Sequence, residues 1–268
     1  MHLMRLIAPR LCRVSWRNLV ASVVFLFGLQ GSAAFAQPLV AAASDLKFAM
    51  EEIAKLYRQE TGQSLRLVFG SSGNFTTQIM QGAPFDIFLS ADDALPRKLY
   101  QAGLTTDPGH VYGLGRLVLY FPKGSELRAD VELIGLEHGL RTGLVKRLAI
   151  ANPEHAPYGQ RAVQVLQKKG LWAVAQPKLV LGENVSQAAS FAVTGNAQAA
   201  LIAWSLVLAP PLSQEGQFAV VPETLHEPLM QTMVLMKKAE PPARAFYDYL
   251  QQSSAKAILA RYGFKAVR

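Results

Sequence analysis

The feature that most constrains this chain is an alternation. Short apolar runs recur along it, and most are followed by a segment whose apolar residues repeat every three or four positions. Pro38 to Ala43 (PLVAAA) reads as a strand. Asp45 to Glu60 reads as a helix, with Leu46, Ala49, Ile53 and Tyr57 on one face and Gly62 as its stop. Leu65 to Phe69 is the next strand, and Gly73 to Gln81 a short helix ended by Gly82. Phe85 to Ser90 is a third strand, with a helix from about Ala94 to Ala102 after it. Strands are expected again at Leu117 to Phe121, Leu148 to Ala151, Lys178 to Leu181, Ala199 to Trp204, Phe218 to Val221 and Thr232 to Met236. Helices are expected at Ala162 to Lys169, Ser186 to Thr194 and Ala243 to Arg261, the last carrying Phe246, Tyr249, Leu250 and Ile258. Repeated βα units predict an α/β fold of largely parallel sheets covered by helices. The pattern restarts near Gly115 to Lys123 and near Leu225 to Thr232, which suggests two lobes with the chain crossing twice between them.

Residues 1–36 have the organisation of a secretion signal. Arg5, Arg10, Arg13 and Arg17 form a basic segment without an acid, Leu19 to Leu29 is apolar, and Ala34-Phe35-Ala36 is a small-x-small cleavage site before Gln37. The apolar run is about half the ~20 residues that a bilayer-spanning helix needs. Removal of the signal leaves 232 residues, with 23 basic residues against 19 acids, so the formal charge drops from +8 to +4. With no run of five basic residues, nucleic-acid binding has little support. The one cysteine, Cys12, lies in the signal, which excludes a disulfide or a thiolate metal site in the secreted part. The histidines at 110, 138, 155 and 226 lack the spacing of a zinc site.

Four strand-to-helix junctions share one chemistry. Ala41-Ala42-Ala43-Ser44-Asp45 and Phe69-Gly70-Ser71-Ser72-Gly73 each put a serine at a helix start. Asn152-Pro153-Glu154-His155-Ala156-Pro157-Tyr158-Gly159 and Gly182-Glu183-Asn184-Val185-Ser186 lead into two more helices. A helix start exposes N–H groups without intrahelical partners and carries partial positive charge. Several of them aimed at one point make an anion site without lysine or arginine. Singly, each has a plainer explanation: Ser44 and Ser72 as N-caps, Pro157 as a helix starter, Tyr158 as a rim aromatic, Val185 as core. The set of four favours the anion site.

The segments AAASDLKFAMEEIAKLY, FGSSGNF, GAPFDIFLSAD, ANPEHAPYG and AFYDYLQQSSAKAILARYGF resemble the periplasmic molybdate-binding proteins of ABC transporters, over about Val40 to Phe264. The resemblance implies a two-lobed periplasmic-binding-protein fold of type II, each lobe a mostly parallel sheet flanked by helices. It implies a first lobe in residues 37–118, a second in 119–222 and a return to the first in 223–268. It also implies that molybdate or tungstate is held as an oxyanion through Ser44 and Ser72 in one lobe and Tyr158 and Val185 in the other. No residue would bond the metal and no cofactor is expected. The implied partner is an inner-membrane ABC permease, the location the periplasm, and a monomer is expected. Some members supply a tyrosine hydroxyl from the segment matching Leu201 to Ser205. This chain has none there, which leaves the Tyr158 hydroxyl as its substitute. His155 reads as a loop residue that orients the Pro157-Tyr158-Gly159 turn. Asp45, as a carboxylate beside an anion, is expected to turn away and cap its helix.

Two other functions share some of these features. Another tetrahedral oxyanion, sulfate or phosphate, would suit the same donors. A periplasmic hydrolase would need a base beside Ser72; Glu154-His155 is the nearest candidate, but no G-x-S-x-G elbow exists and an enzyme is not expected. Asp86 sits between apolar strand residues, Asp92 and Asp93 precede a helix and are expected to cap it, and Lys168-Lys169 and Lys237-Lys238 are expected to be solvated. Phe246, Tyr247 and Tyr249 are expected to pack the last helix, with Tyr247 the most exposed.

Overall fold

The computed structural model describes residues 37–210 and 212–266; the segment read as a signal peptide lies outside them. The first sheet is built from β1 (Leu39–Ala43), β2 (Arg66–Gly70), β3 (Ile87–Ser90) and β4 (His110–Gly115). Helices α1 (Lys47–Thr61), α2 (Ser72–Met80) and α3 (Ala94–Gln101) connect these strands. The chain then passes through Arg116 into β5 (Leu117–Pro122), followed by α4 (Ile134–Thr142), β6 (Leu148–Ala151), α5 (Pro157–Lys168), α6 (Trp172–Ala175), β7 (Leu179–Gly182), α7 (Val185–Val193), β8 (Ala199–Ala203), α8 (Trp204–Val207) and β9 (Gly216–Val220). It returns in β10 (Leu229–Leu235) and closes with α9 (Pro241–Tyr249) and α10 (Ser253–Arg261).

The sheets have the orders β2-β1-β3-β10-β4 and β7-β6-β8-β5-β9. In each, three strands pair in parallel and a fourth, at the far edge, shares their direction across one reversed strand, β10 in the first sheet and β5 in the second. The sheets are therefore mixed, more so than a βα alternation predicts. The reversed strands are the ones by which the chain enters the second sheet and re-enters the first, so their direction follows from the crossings.

Burial explains the apolar strands. Val40 and Ala42 of β1 pack on one face of the first sheet and Ala41 on the other; Ile87 and Leu89 oppose Phe88 in the same way. With both faces covered, alternation gives way to continuous apolar runs. One face is covered by α1 and α9, where Tyr57 meets the rings of Phe246 and Tyr249 edge-on at 5.0 and 4.9 Å.

The sequence left several elements unforeseen. His110–Gly115 carries two glycines and is made a strand by its pairing with β10. Ile134–Thr142 also has two glycines, at 135 and 139, which weaken its helix signal. The expected helix Ala243 to Arg261 breaks at Gln252, which is extended, so that both halves turn apolar faces inward. Trp204 opens α8 and does not continue β8. Tyr247 is buried, not exposed, with its hydroxyl 3.4 Å from the Met233 carbonyl.

Candidate functional site

The strands β1, β2, β6 and β7 end at one small cavity. Ser44 and Ser72, from the first sheet's loops, and Tyr158 and Val185, from the second's, all line it. All four are at least 96 % buried. The other lining residues include Asp45, Ser71 and Asn184, and no lysine, arginine or histidine.

Each junction is held in its own way. Ser44 opens a 3₁₀ turn, Ser44–Leu46, ahead of α1. Its Oγ accepts the Ser186 N–H at 3.2 Å, and its carbonyl accepts the Ser186 hydroxyl at 2.8 Å. Ser72 is the first residue of α2, and its Oγ accepts the Ala91 N–H at 3.0 Å. Neither serine caps a helix with its side chain. In both cases the hydroxyl oxygen is occupied as an acceptor, and the hydroxyl proton remains free to be donated.

Pro157 begins α5 and puts Tyr158 in its first turn, with Ala156 as the N-cap. Gly159 is forced by space: a Cβ there would press into the Ala151 carbonyl. Val185 is the first residue of α7, whose N-cap Asn184 accepts the Gln187 N–H at 3.1 Å. The N–H groups of Ser72, Tyr158 and Val185 have no acceptor among the described residues. Helix starts cannot satisfy these donors internally.

The two halves touch across the cavity. His155 does not merely orient its own loop. Its carbonyl accepts the Gly73 N–H at 2.8 Å and the Ser71 hydroxyl, and its Nδ1 lies 2.9 Å from Ser71 Oγ. Glu154 bonds to Asn152, not to His155. The His155 contacts tie the two halves together across the cavity. Ser205, in α8, donates to the Asp45 carbonyl at 2.7 Å.

Asp45 does not turn away to cap a helix. It sits inside the 3₁₀ turn, Leu46 takes the N-cap position of α1, and the carboxyl is 1 % exposed. Oδ2 accepts the Gln231 side-chain amide at 2.6 Å, and Oδ1 has no partner among the described residues. Burial pushes its pKa up to about 6, partly offset by the Gln231 amide and the nearby Tyr158 hydroxyl. The same Gln231 amide lies 3.2 Å from the Tyr158 hydroxyl, and Gln231 Oε1 accepts the Tyr112 hydroxyl at 2.6 Å. Burial, with the Asp45 charge second, raises both tyrosines well above their ordinary value. The Tyr158 hydroxyl is thus engaged by β10, while its amide is unpaired.

The carboxylates expected to cap helices divide. Asp92 accepts the Leu95 N–H at 3.1 Å; Asp86, just before β3, accepts the Leu39 N–H at 2.8 Å, clamping the start of β1. Asp93 is the N-cap of α3 but makes no capping bond and pairs with Arg97. Among the described residues no cluster of three histidine, cysteine or acidic side chains is placed to hold a metal ion.

The family description "bacterial extracellular solute-binding protein" matches residues 38–265. The chain belongs to this family. Among its relatives, the molybdate-binding protein ModA of Rhodobacter capsulatus is 37% identical over 254 residues, covering 91% of this chain and 94% of that one. The molybdate-binding protein ModA of Azotobacter vinelandii is 37% identical over 232 residues, covering 85% and 90%. Among solved structures, the Azotobacter vinelandii periplasmic molybdate-binding protein superposes with a TM-score of 0.79 at 28% identity, covering 87% of this chain and all of that one. In this solute-binding protein, sequence reasoning missed Ser71, Ser186, Ser205, Tyr112 and Gln231. Serines gave no signal beyond abundance, and Gln231 lies in an apolar strand more than 180 residues from Asp45 in the chain.

Proposed function

We propose that the protein binds molybdate, and tungstate, as an unprotonated oxyanion in this cavity and hands it to an ABC permease for import. The observation that carries this is the convergence of Ser44, Ser72, Tyr158 and Val185, from both sheets, on one small cavity without a cation. Two hydroxyl protons and three unpaired amides supply neutral donors. In a dry site, hydrogen bonds to a charged group are worth about 1.5–3 kcal/mol each. Neutral donors spread over two halves favour release better than a buried arginine would, because opening the halves removes part of the donor set at once.

The two sheets act as lobes joined at the β4–β5 and β9–β10 crossings. The Ser71–His155, Gly73–His155 and Ser44–Ser186 contacts hold them shut. Closure excludes water and presents a defined surface to the permease. Sulfate has the same charge and four acceptor oxygens, so discrimination against it falls to cavity size. The protein is a carrier and catalyses no reaction, is secreted to the periplasm by the signal in residues 1–36, and acts as a monomer.

Calorimetric titration of ligand-stripped protein with molybdate, tungstate, sulfate and phosphate tests this. One-to-one binding of the first two, with sulfate at least about a hundredfold weaker (about 2.7 kcal/mol), is the expected result. A preference for sulfate or phosphate would replace the ligand, and binding of none would overturn the anion site.

A further inference from the structure

We propose that Asp45 is itself a binding residue, meeting the oxyanion as a neutral carboxylic acid that donates the proton on Oδ1 to it. The inference rests on the oxyanion reading above and deepens it. Asp45 lines the same cavity as Ser44 and Ser72 and is 1 % exposed. Its two oxygens differ. Oδ2 accepts the Gln231 amide, and Gln231 is held in that orientation by the Tyr112 hydroxyl bonded to its Oε1. Oδ2 is therefore the carbonyl-like oxygen, and a proton on the carboxyl belongs on Oδ1, which has no partner among the described residues. A buried O–H without an acceptor is costly, and an oxyanion oxygen would be that acceptor.

No charge near Asp45 compensates an ionised carboxylate. The cavity has no cation, and α7 and α8, which pack against the Ser44–Leu46 turn, carry no ionisable side chain. Of α1, the adjacent Lys47 is exposed; of β2, Arg66 is exposed at the far end of the strand. The titratable groups that do face it are the hydroxyls of Tyr158 and Tyr112, both held neutral. A carboxylate and a dianion in one dry cavity would repel strongly. A carboxylic acid in the same place is a hydrogen-bond donor, as with other buried acids kept neutral at pH 7. Burial already lifts this carboxyl to about 6, and a bound dianion would raise it further. Above that pH, each molybdate therefore enters together with one proton from solvent.

The experiment is calorimetric titration with sodium molybdate of protein purified from expression of the full chain and stripped of ligand. It is run from about pH 5 to pH 8 in paired buffers of different ionisation enthalpy. The expected result is uptake of nearly one proton per molybdate at the upper end and nearly none at the lower. Kd should rise about tenfold per pH unit above about 6. Asp45→Asn, whose side-chain amide can still donate, should bind molybdate without proton uptake and without that slope. Tight molybdate binding with no proton uptake in the wild-type protein overturns the proposal and leaves the receptor intact. Uptake that persists in Asp45→Asn belongs to another group and also overturns it. So does a preference for hydrogen phosphate over molybdate at pH 8, because an ionised Asp45 would then be accepting the ligand's proton. Failure of the wild-type protein to bind any oxyanion at any pH overturns the receptor reading instead. If Asp45→Asn does not fold, as judged by thermal melting, the wild-type proton count alone decides.

Discussion

Ser44 and Ser72 are one-proton devices: each oxygen is fixed by a backbone N–H, and one hydrogen is left to give. Replacing either by alanine should weaken molybdate binding about 10- to 100-fold by calorimetry, the loss of one charge-assisted hydrogen bond. Ser72→Ala should also cost about 1–3 kcal/mol in urea unfolding, because the buried Ala91 N–H loses its acceptor. Asp45 makes a stability prediction of opposite character. Its folded pKa lies above its ordinary value of 3.8, so the fold prefers the protonated form. That contribution is fully present below about 3.8 and is lost as pH rises through about 6. Its size is about 3 kcal/mol. Without ligand, Asp45→Asn should therefore melt higher than the wild-type protein above pH 6, the gap closing toward pH 4. A gap that widens toward low pH would contradict the raised pKa.

At the scale of elements, the site is a property of where helices begin. The helices α2, α5 and α7 each follow a strand and leave one amide at the cavity without an acceptor among the described residues. The approach of α2 to the 152–156 loop is close enough to require glycine: a Cβ on Gly73 would stand 2.5 Å from the His155 carbonyl oxygen and 2.9 Å from its Cα. Alanine is otherwise the better helix residue by about 1 kcal/mol. Gly73→Ala should therefore leave ligand-free thermal stability unchanged or slightly higher, yet weaken molybdate binding at least tenfold by obstructing closure. Equal affinity in Gly73→Ala would show that the Gly73–His155 contact is not part of the bound state.

At the scale of the whole molecule, residues of both halves line the cavity, and on the proposed reading ligand binding and closure are one event. Molybdate at about a hundred times its Kd should stabilise the fold by about 2.7 kcal/mol and raise the melting temperature by about 5–11 °C. Small-angle scattering should show a smaller radius of gyration with molybdate than without. An unchanged radius would mean that the ligand enters an already shut molecule.

The local pattern of this chain determined the βα alternation, most strand positions and the four junctions, because apolar periodicity and turn residues act over a few positions. It also singled out Ser44, Ser72, Tyr158 and Val185, through the chemistry of helix starts and a family resemblance. Tertiary structure alone decided the rest. Strand order and the reversal of β5 and β10 depend on where the chain crosses between sheets, which no local pattern encodes. His110–Gly115 is a strand because β10 lies beside it. The fate of Asp45 is decided the same way: a helix cap is a local contact, whereas Gln231, Tyr112 and Tyr158 reach the carboxyl or its amide partner from elements remote in sequence. Burial sets the charge state of that carboxyl, and burial exists only once both halves have folded around it.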